Sequence, residues 1–233
     1  MIDYTIYDLP EEMKNELMDL EIEFVFQPIF NADMTLCAYE ALMRPGKCSI
    51  IDLISKYQEK GRLHILEVAT FFGAFQEYER RGYTENVCVN SFPTEAMTDE
   101  ECSAFNEAFQ ESKYNGIIEI LEYPPNGELS WEEKKSRFSW NDLYLAVDDF
   151  GSGINDMTAV EKYKPQIVKL DRSLISNIDS DEQKRAQCKE YIDIFHEKGI
   201  LALGEGIETK GELDVLLELG IDLLQGFYLG MPE

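Results

Sequence analysis

Short apolar runs rich in β-branched and aromatic residues alternate along this chain with longer stretches of helical periodicity. EFVFQPIF and TLCAYEALMR, joined by a polar turn at residues 31–34, read as an antiparallel pair, because so short a connection leaves no room for a crossover helix. The rhythm then changes. NVCVNS, IIEILEY, LYLAVDDF, QIVKLD, ILALGE and LLQGF read as strands separated by helical segments. Helices are expected from Ser49, over residues 66–80, from Pro93 after Ser91 to about residue 113, briefly at 131–137 beyond Pro124, Pro125 and Gly127, and over 181–198. Strands alternating with helices predict an α/β fold whose mainly parallel sheet is covered outside by helices. Eight strands fit a closed barrel better than an open sheet. A first helical segment at residues 10–20 is expected to pack as a lid or plug beneath that barrel.

Length and charge narrow the picture. With 233 residues and no linker, repeat or low-complexity tract, the chain reads as one domain over residues 1–233, residues 1–20 forming an N-terminal extension. That is slightly short of the about 250 residues typical of an eightfold barrel, and the chain stops at Glu233 where a last barrel helix would follow. A net charge of −25 opposes binding to nucleic-acid polymers and to anionic membranes. It also repels small anionic substrates unless cations or a local basic group reverse the field. The five cysteines are scattered without a C-x-x-C pair, which favours free thiols in a reducing compartment over disulfides or a zinc knot. The acidic start lacks the basic and apolar stretches of a signal peptide, and no apolar run approaches a membrane span. A cytoplasmic protein is expected.

The candidate chemistry lies where the strands end: Glu40 in YEALMRP, Asn90 in VCVNS, Glu119 and Glu122 in IIEILE, Asp148 and Asp149 in LAVDDFGSG, Lys169 in IVKLD, Glu205 and Glu208 in LALGEGIET, and Gln225 in LLQGF. A lone acidic residue at a strand end is more often a helix cap or a solvated loop residue. The set is another matter, because parallel barrel strands point their C-terminal ends at one face. Carboxylates gathered there need divalent cations or shared protons. Glu40, Asn90, Glu119 and Asp148 supply oxygen donors without His or Cys, which suits Mg2+ or Mn2+ over zinc. Asp149 offers a hold on a second ion, with Asp148 bridging, and paired cations are a recurrent device for phosphodiester hydrolysis. Lys169 reads either as a lysine snorkelling from the rim or as an ammonium that orients water or neutralises a phosphate. Arg44 has the planar fork to clamp a phosphate. His64 and His196 lack metal-ligand spacing and read as structural; Phe71, Phe72 and Phe75 follow helical spacing and read as core.

Taken in order, QPI, EALMR, VNxS, ExxE, DDFGSG, KLD, EGIE and QGF resemble the motifs of the EAL-domain phosphodiesterases, over about residues 23–232. The resemblance implies a modified (β/α)8 barrel of the TIM type with one antiparallel strand near the N-terminus. It implies hydrolysis of the bacterial second messenger cyclic di-GMP to linear 5′-pGpG by water activated by two metals, Mg2+ or Mn2+. It makes Glu40, Asn90, Glu119 and Asp148 ligands of the first ion, with Asp148 and Asp149 reaching a second. Lys169 would position the attacking water, Glu205 would act as an acid/base residue, and Gln225 would hold water or phosphate. Gln27, Leu42, Arg44, Asp171 and Glu208 would line the substrate groove, and Glu122 would brace the loop at 149–155. A homodimer is implied in the same way.

The chain departs from the family pattern at Leu121, where Thr is usual, and at Ile154, Asn155, Asp156 and Met157, where Tyr-Ser-Ser-Leu is usual. In the family that second stretch links the metal site to the dimer interface, so coupling between dimerisation and activity is in question here. Every implied ligand is present, which favours an active enzyme. Two other readings stay open: a catalytically silent EAL-like protein that binds cyclic di-GMP or a protein partner, and a hydrolase of another phosphodiester such as a linear dinucleotide.

Overall fold

β1 (Ile22–Asn31) and β2 (Leu36–Pro45) run antiparallel, in register from Ile22 opposite Pro45 to Ile29 opposite Ala38. Their short turn is set by Asp33, whose Oδ1 accepts hydrogen bonds from the Thr35 backbone N–H at 3.0 Å and hydroxyl at 2.5 Å. The computed structural model describes residues 2–112, 114–121, 134, 143–153 and 155–233. The remaining strands are β3 (Asn86–Ser91), β4 (Gly116–Ile120), β5 (Tyr144–Phe150), β6 (Ile167–Leu170), β7 (Leu201–Gly204) and β8 (Leu223–Leu224). From β2 to β8 every neighbour is parallel. The two-residue β8 closes the barrel by pairing antiparallel with Phe30 and Asn31 of β1. The fold is therefore the expected α/β barrel with one reversed strand.

The described helices are α1 (Glu11–Asp19), α2 (Ile50–Glu59), α3 (Leu63–Arg81), α4 (Asp99–Phe109), α5 (Met157–Tyr163), α6 (Arg172–Ile175), α7 (Glu182–Glu197) and α8 (Lys210–Leu219). Most begin where a capping side chain stands: Ser49 for α2, Asp181 for α7, Thr209 for α8. α4 does not open at Pro93 as the sequence suggested. It opens five residues later, where Thr98 and Glu101 form a reciprocal capping box that satisfies two orphan N–H groups. The expected helix at 131–137 lies outside the described residues apart from Lys134. α1 is also displaced from expectation. It packs on α3, and Leu17 and Met18 line, with Arg44 and Pro45, a cavity of about 420 Å3 at the far end of β2, so it sits on the barrel's flank and not beneath it.

Two outer cores hold helices to strands. One joins the N-terminal segment and α1–α4 to β1–β5, with Phe71, Phe72 and Phe75 fully buried as expected; the other packs α6–α8 on β6–β8. The two histidines are tied into this framework. His64 lies 2.9 Å from Glu101, and His196 lies 2.8 Å from Asp222. No described helix is long and apolar enough to cross a membrane.

After β8 the chain folds back along β1. Glu233 exchanges both backbone hydrogen bonds with Phe26, at 2.9 and 3.2 Å, and Arg81 donates to the carbonyls of Glu233 and Phe24. Gly226 allows this path: a Cβ there would lie 2.2 Å from the backbone N and O of Ile207. The Gly226→Ala variant must push two backbone segments apart. It is expected to lose about 1–3 kcal/mol or more, read as a lower midpoint in denaturant unfolding; an unchanged midpoint would show that the contact yields freely.

Candidate active site

The site is built by the two-residue repeat of the β-strand. Inside the barrel each strand contributes one residue to an apolar floor: Ile29, Ala38, Cys88, Ile117, Ala146, Ile167, Leu203 and Leu223. Side chains two positions apart share a face. The next inward residue of each parallel strand is therefore Glu40, Asn90, Glu119, Asp148, Lys169, Glu205 or Gln225. β1 runs the other way, so its contribution lies two positions before Ile29, at Gln27, directly opposite Glu40 across the strand pair. Seven of the strand-end residues expected from the sequence, together with Gln27, thus form one polar ring on one apolar floor.

Lys169 occupies the middle of that ring and is 1% exposed. Its Nζ lies 2.7 Å from Glu205, 2.8 Å from Asp148, 3.1 Å from Glu119 and 3.8 Å from Glu40. On the other side of Glu40, Gln225 Nε2 donates to Oε2 at 2.6 Å, while Asn90 Nδ2 reaches Oε1 at 3.4 Å. Gln225 Nε2 also lies 3.4 Å from Gln27 Oε1, and Gln27 donates to the Gly230 carbonyl at 3.1 Å. Burial disfavours the charged form of Lys169, but Asp148, Glu119, Glu205 and Glu40 outweigh it and hold the ammonium well above its ordinary pKa. Burial pushes the carboxyls of Glu119 and Glu205 well up, neighbouring carboxylates push the same way, and Lys169 offsets part of the rise.

Asp149 breaks the alternation. A regular strand would aim it at the helices, away from Asp148. Instead its backbone is left-handed (φ 51°), and the β5–β6 register slips between Val147 and Phe150. Asp148, Asp149 and Glu205 each then offer an oxygen within 4.8 Å of the others. Asn155 stabilises the slip: its side-chain amide donates to the Asp148 carbonyl at 2.7 Å, and its own carbonyl accepts from Gly151 N–H at 3.0 Å. Sequence reasoning singled out Asn155 only as a departure from the family pattern. An asparagine two residues beyond a Gly-Ser-Gly stretch was the available signal.

Other expected site residues stand apart from this ring. Leu42 and Arg44 line, with Asn90, Phe92, Leu121 and Asp148, a cavity of about 270 Å3 that opens beside it. Asp171 caps α6, accepting from Ser173 N–H at 2.8 Å, and Glu208 pairs with Arg172 at 2.6 Å, so both take partners outside the ring. Glu122 lies outside the described residues.

The residues fit divalent cations. The carboxyls of Glu40, Glu119, Asp148, Asp149 and Glu205 and the amides of Gln27, Asn90 and Gln225 surround a single ammonium, and every donor a cation could use is a hard oxygen. Glu119 Oε2 and Gln225 Oε1 are buried without a hydrogen-bond partner among the described residues. Such acceptors are costly to bury unsatisfied. A cation beside them removes both costs. Addition of Mn2+ or Mg2+ at about a hundredfold its dissociation constant is expected to raise the thermal unfolding midpoint by roughly 5–10 °C. The Glu119→Gln variant should lose most of that rise, and a wild-type midpoint indifferent to both cations would show that the ring does not hold them.

Comparison with known proteins places this architecture. The EAL domain matches residues 10–232. A probable cyclic di-GMP phosphodiesterase of Escherichia coli K12, PdeG, is 27% identical over 134 residues, 57% of this chain and 26% of that protein. An uncharacterised protein of Sinorhizobium fredii, y4lL, is 24% identical over 232 residues, 94% of this chain and 28% of its own length. The chain thus spans only about a quarter of these relatives. A standalone EAL protein from Vibrio cholerae O395, in its c-di-GMP-bound form, superposes with a TM-score of 0.77 at 25% identity, covering 92% of this chain and 93% of that one. The calcium/cy-diGMP complex of Klebsiella pneumoniae BlrP1 shares the fold with a TM-score of 0.73 at 20% identity, over 97% of this chain and 63% of that one. The chain belongs to the EAL domain family.

Proposed function

We propose that the chain hydrolyses cyclic di-GMP to linear 5′-pGpG in a reaction that depends on Mg2+ or Mn2+. The observation that carries this reading is the gathering of Glu40, Asn90, Glu119, Asp148, Lys169, Glu205 and Gln225 one layer above the floor, beside a cavity walled by Leu42 and Arg44. Glu40, Asn90, Glu119 and Asp148 would hold one ion, and Asp148 and Asp149 would hold the second, with Glu205 in reach. Divalent cations bound there supply acidified water and neutralise phosphate charge.

The chain's own side chains account for the rest. Lys169 keeps its proton among the carboxylates and presents an N–H to the attacking water and to the charge that grows on phosphate. In the in-line displacement the water oxygen bonds to phosphorus and the P–O3′ bond breaks. Glu205, held against Lys169, takes a proton from the attacking water, and the departing 3′-oxygen on the opposite side of phosphorus takes its proton from solvent. Gln225 and Gln27 close the site on the side of the reversed strand and offer amides to phosphate or water. Arg44, at the mouth of the cavity, supplies the fork that offsets the long-range repulsion between an acidic protein and an anionic dinucleotide.

The test is chromatographic analysis of products after incubation of the purified protein with cyclic di-GMP and Mg2+, Mn2+ or a chelator. pGpG is expected with either metal and not with chelator. Glu40→Ala removes a direct ligand, so turnover should fall by more than the ~10–100-fold that loss of an outer partner costs, with the circular dichroism spectrum unchanged. Intact cyclic di-GMP in every incubation of the folded protein would overturn the reading. Tight nucleotide binding that survives chelation would then identify a silent binding protein.

A further inference from the structure

Behind Asn90, on the outward face of β3, lies a buried charged pair that the strand-end pattern does not predict. Glu67 on α3 is 2% exposed and Lys134, in the stretch between β4 and β5, is 4% exposed. Lys134 Nζ donates to Glu67 Oε1 at 3.1 Å, Ser91 Oγ at 2.6 Å and the Phe92 carbonyl at 2.5 Å. The Ser91 hydroxyl donates to Glu67 Oε1 at 2.6 Å, and the Phe92 N–H donates to Oε2 at 2.9 Å. All three ammonium protons and both carboxylate oxygens are engaged.

A pair of this kind is a poor choice for stability alone. Two charges withdrawn from water are costly, and an apolar pair of similar volume often packs as well or better. What an apolar pair cannot do is grip a particular stretch of backbone. Here the bonds converge on Ser91 and Phe92, the two residues that follow Asn90, at the point where β3 ends and its ladder support runs out. Among the described residues, the Asn90 side-chain amide makes one long contact, to Glu40 at 3.4 Å.

We propose that Glu67 and Lys134 are positioning residues for Asn90: the pair fixes the end of β3 from behind, and thereby holds the Asn90 amide beside Glu40 in the geometry a divalent cation requires. This rests on the reading of the polar ring as a cation site. Outer partners of this type typically govern metal affinity by about 10–100-fold. Lys134 and Glu67 thus hold Ser91 and Phe92 from two separate stretches of chain.

Manganese binding to the full chain, followed by the electron paramagnetic resonance signal of free Mn2+, tests the proposal without reference to turnover. The doubly neutral Glu67→Gln/Lys134→Met variant strands no charge. Ser91→Ala is milder, since it keeps the pair and its two bonds to the Phe92 backbone and breaks only the two made by the Ser91 hydroxyl. Both are compared with Phe195→Leu, which loosens the core on the opposite side of the barrel. The double variant is expected to bind Mn2+ about 10–100-fold more weakly than wild type, Ser91→Ala more weakly by a smaller factor, and Phe195→Leu as wild type does despite a lower melting midpoint. A purely structural role would lower the midpoints of all three and leave Mn2+ affinity untouched, and that result overturns the proposal. Wild-type protein that binds no Mn2+ would overturn the cation site itself, a failure visible before any variant is made.

Discussion

The period of two in a β-strand is the constraint on which this structure depends. Eight inward residues make a dry floor, and the next eight inward positions make a polar ring. Because the floor is apolar, water cannot reach the ring from below, and Lys169 and Glu119 are almost wholly buried. In that setting charges are neutralised by one another or by bound ions. Lys169 alone cannot balance the carboxylates around it, which is why burial and mutual repulsion raise Glu119 and Glu205 together. The ring's chemistry follows from the floor beneath it.

Two departures from regularity complete the site. At Asp149 a left-handed backbone and a slipped register turn a residue that should face the helices towards Glu205. At β1 the reversed strand places its polar residue before its floor residue, so that Gln27 meets Glu40 and Gln225. The returning C-terminal residues then pair with β1 along the edge that the short β8 leaves uncovered, with Arg81 fastening both carbonyls. Backbone irregularity is concentrated where side chains must be re-aimed.

Outside the ring, the buried pair of Glu67 and Lys134 marks a second level of control. Its bonds reach the backbone just past Asn90, and it ties α3 to the β4–β5 connection. The loop at 151–155 plays a comparable part for Asp148 through Asn155. Glu67 approaches its ligand-bearing strand from α3, and Asn155 approaches from the loop that precedes α5.

Much of this was legible in the sequence because it is local. Alternation within Leu36–Pro45, Asn86–Ser91 and Ile167–Leu170 fixes which residues share a face, and an apolar residue followed two places later by Glu40, Asn90 or Lys169 announces a floor and a ring. Ser49 and Asp181 announce helix starts for the same reason, since a cap bonds to residues two or three places on. Tertiary structure decided the rest. α4 opens at Thr98 because its capping box outcompetes the turn begun at Pro93; the position of α1 depends on a surface built by α3 and the end of β2. Asp149 turns inward through a bulge that exists only against β6, and Glu67 meets Lys134 across 67 residues of chain. Neighbours along the chain set period and caps, whereas closure, register slips and distant charge pairs are settled only when separate segments compete for the same space.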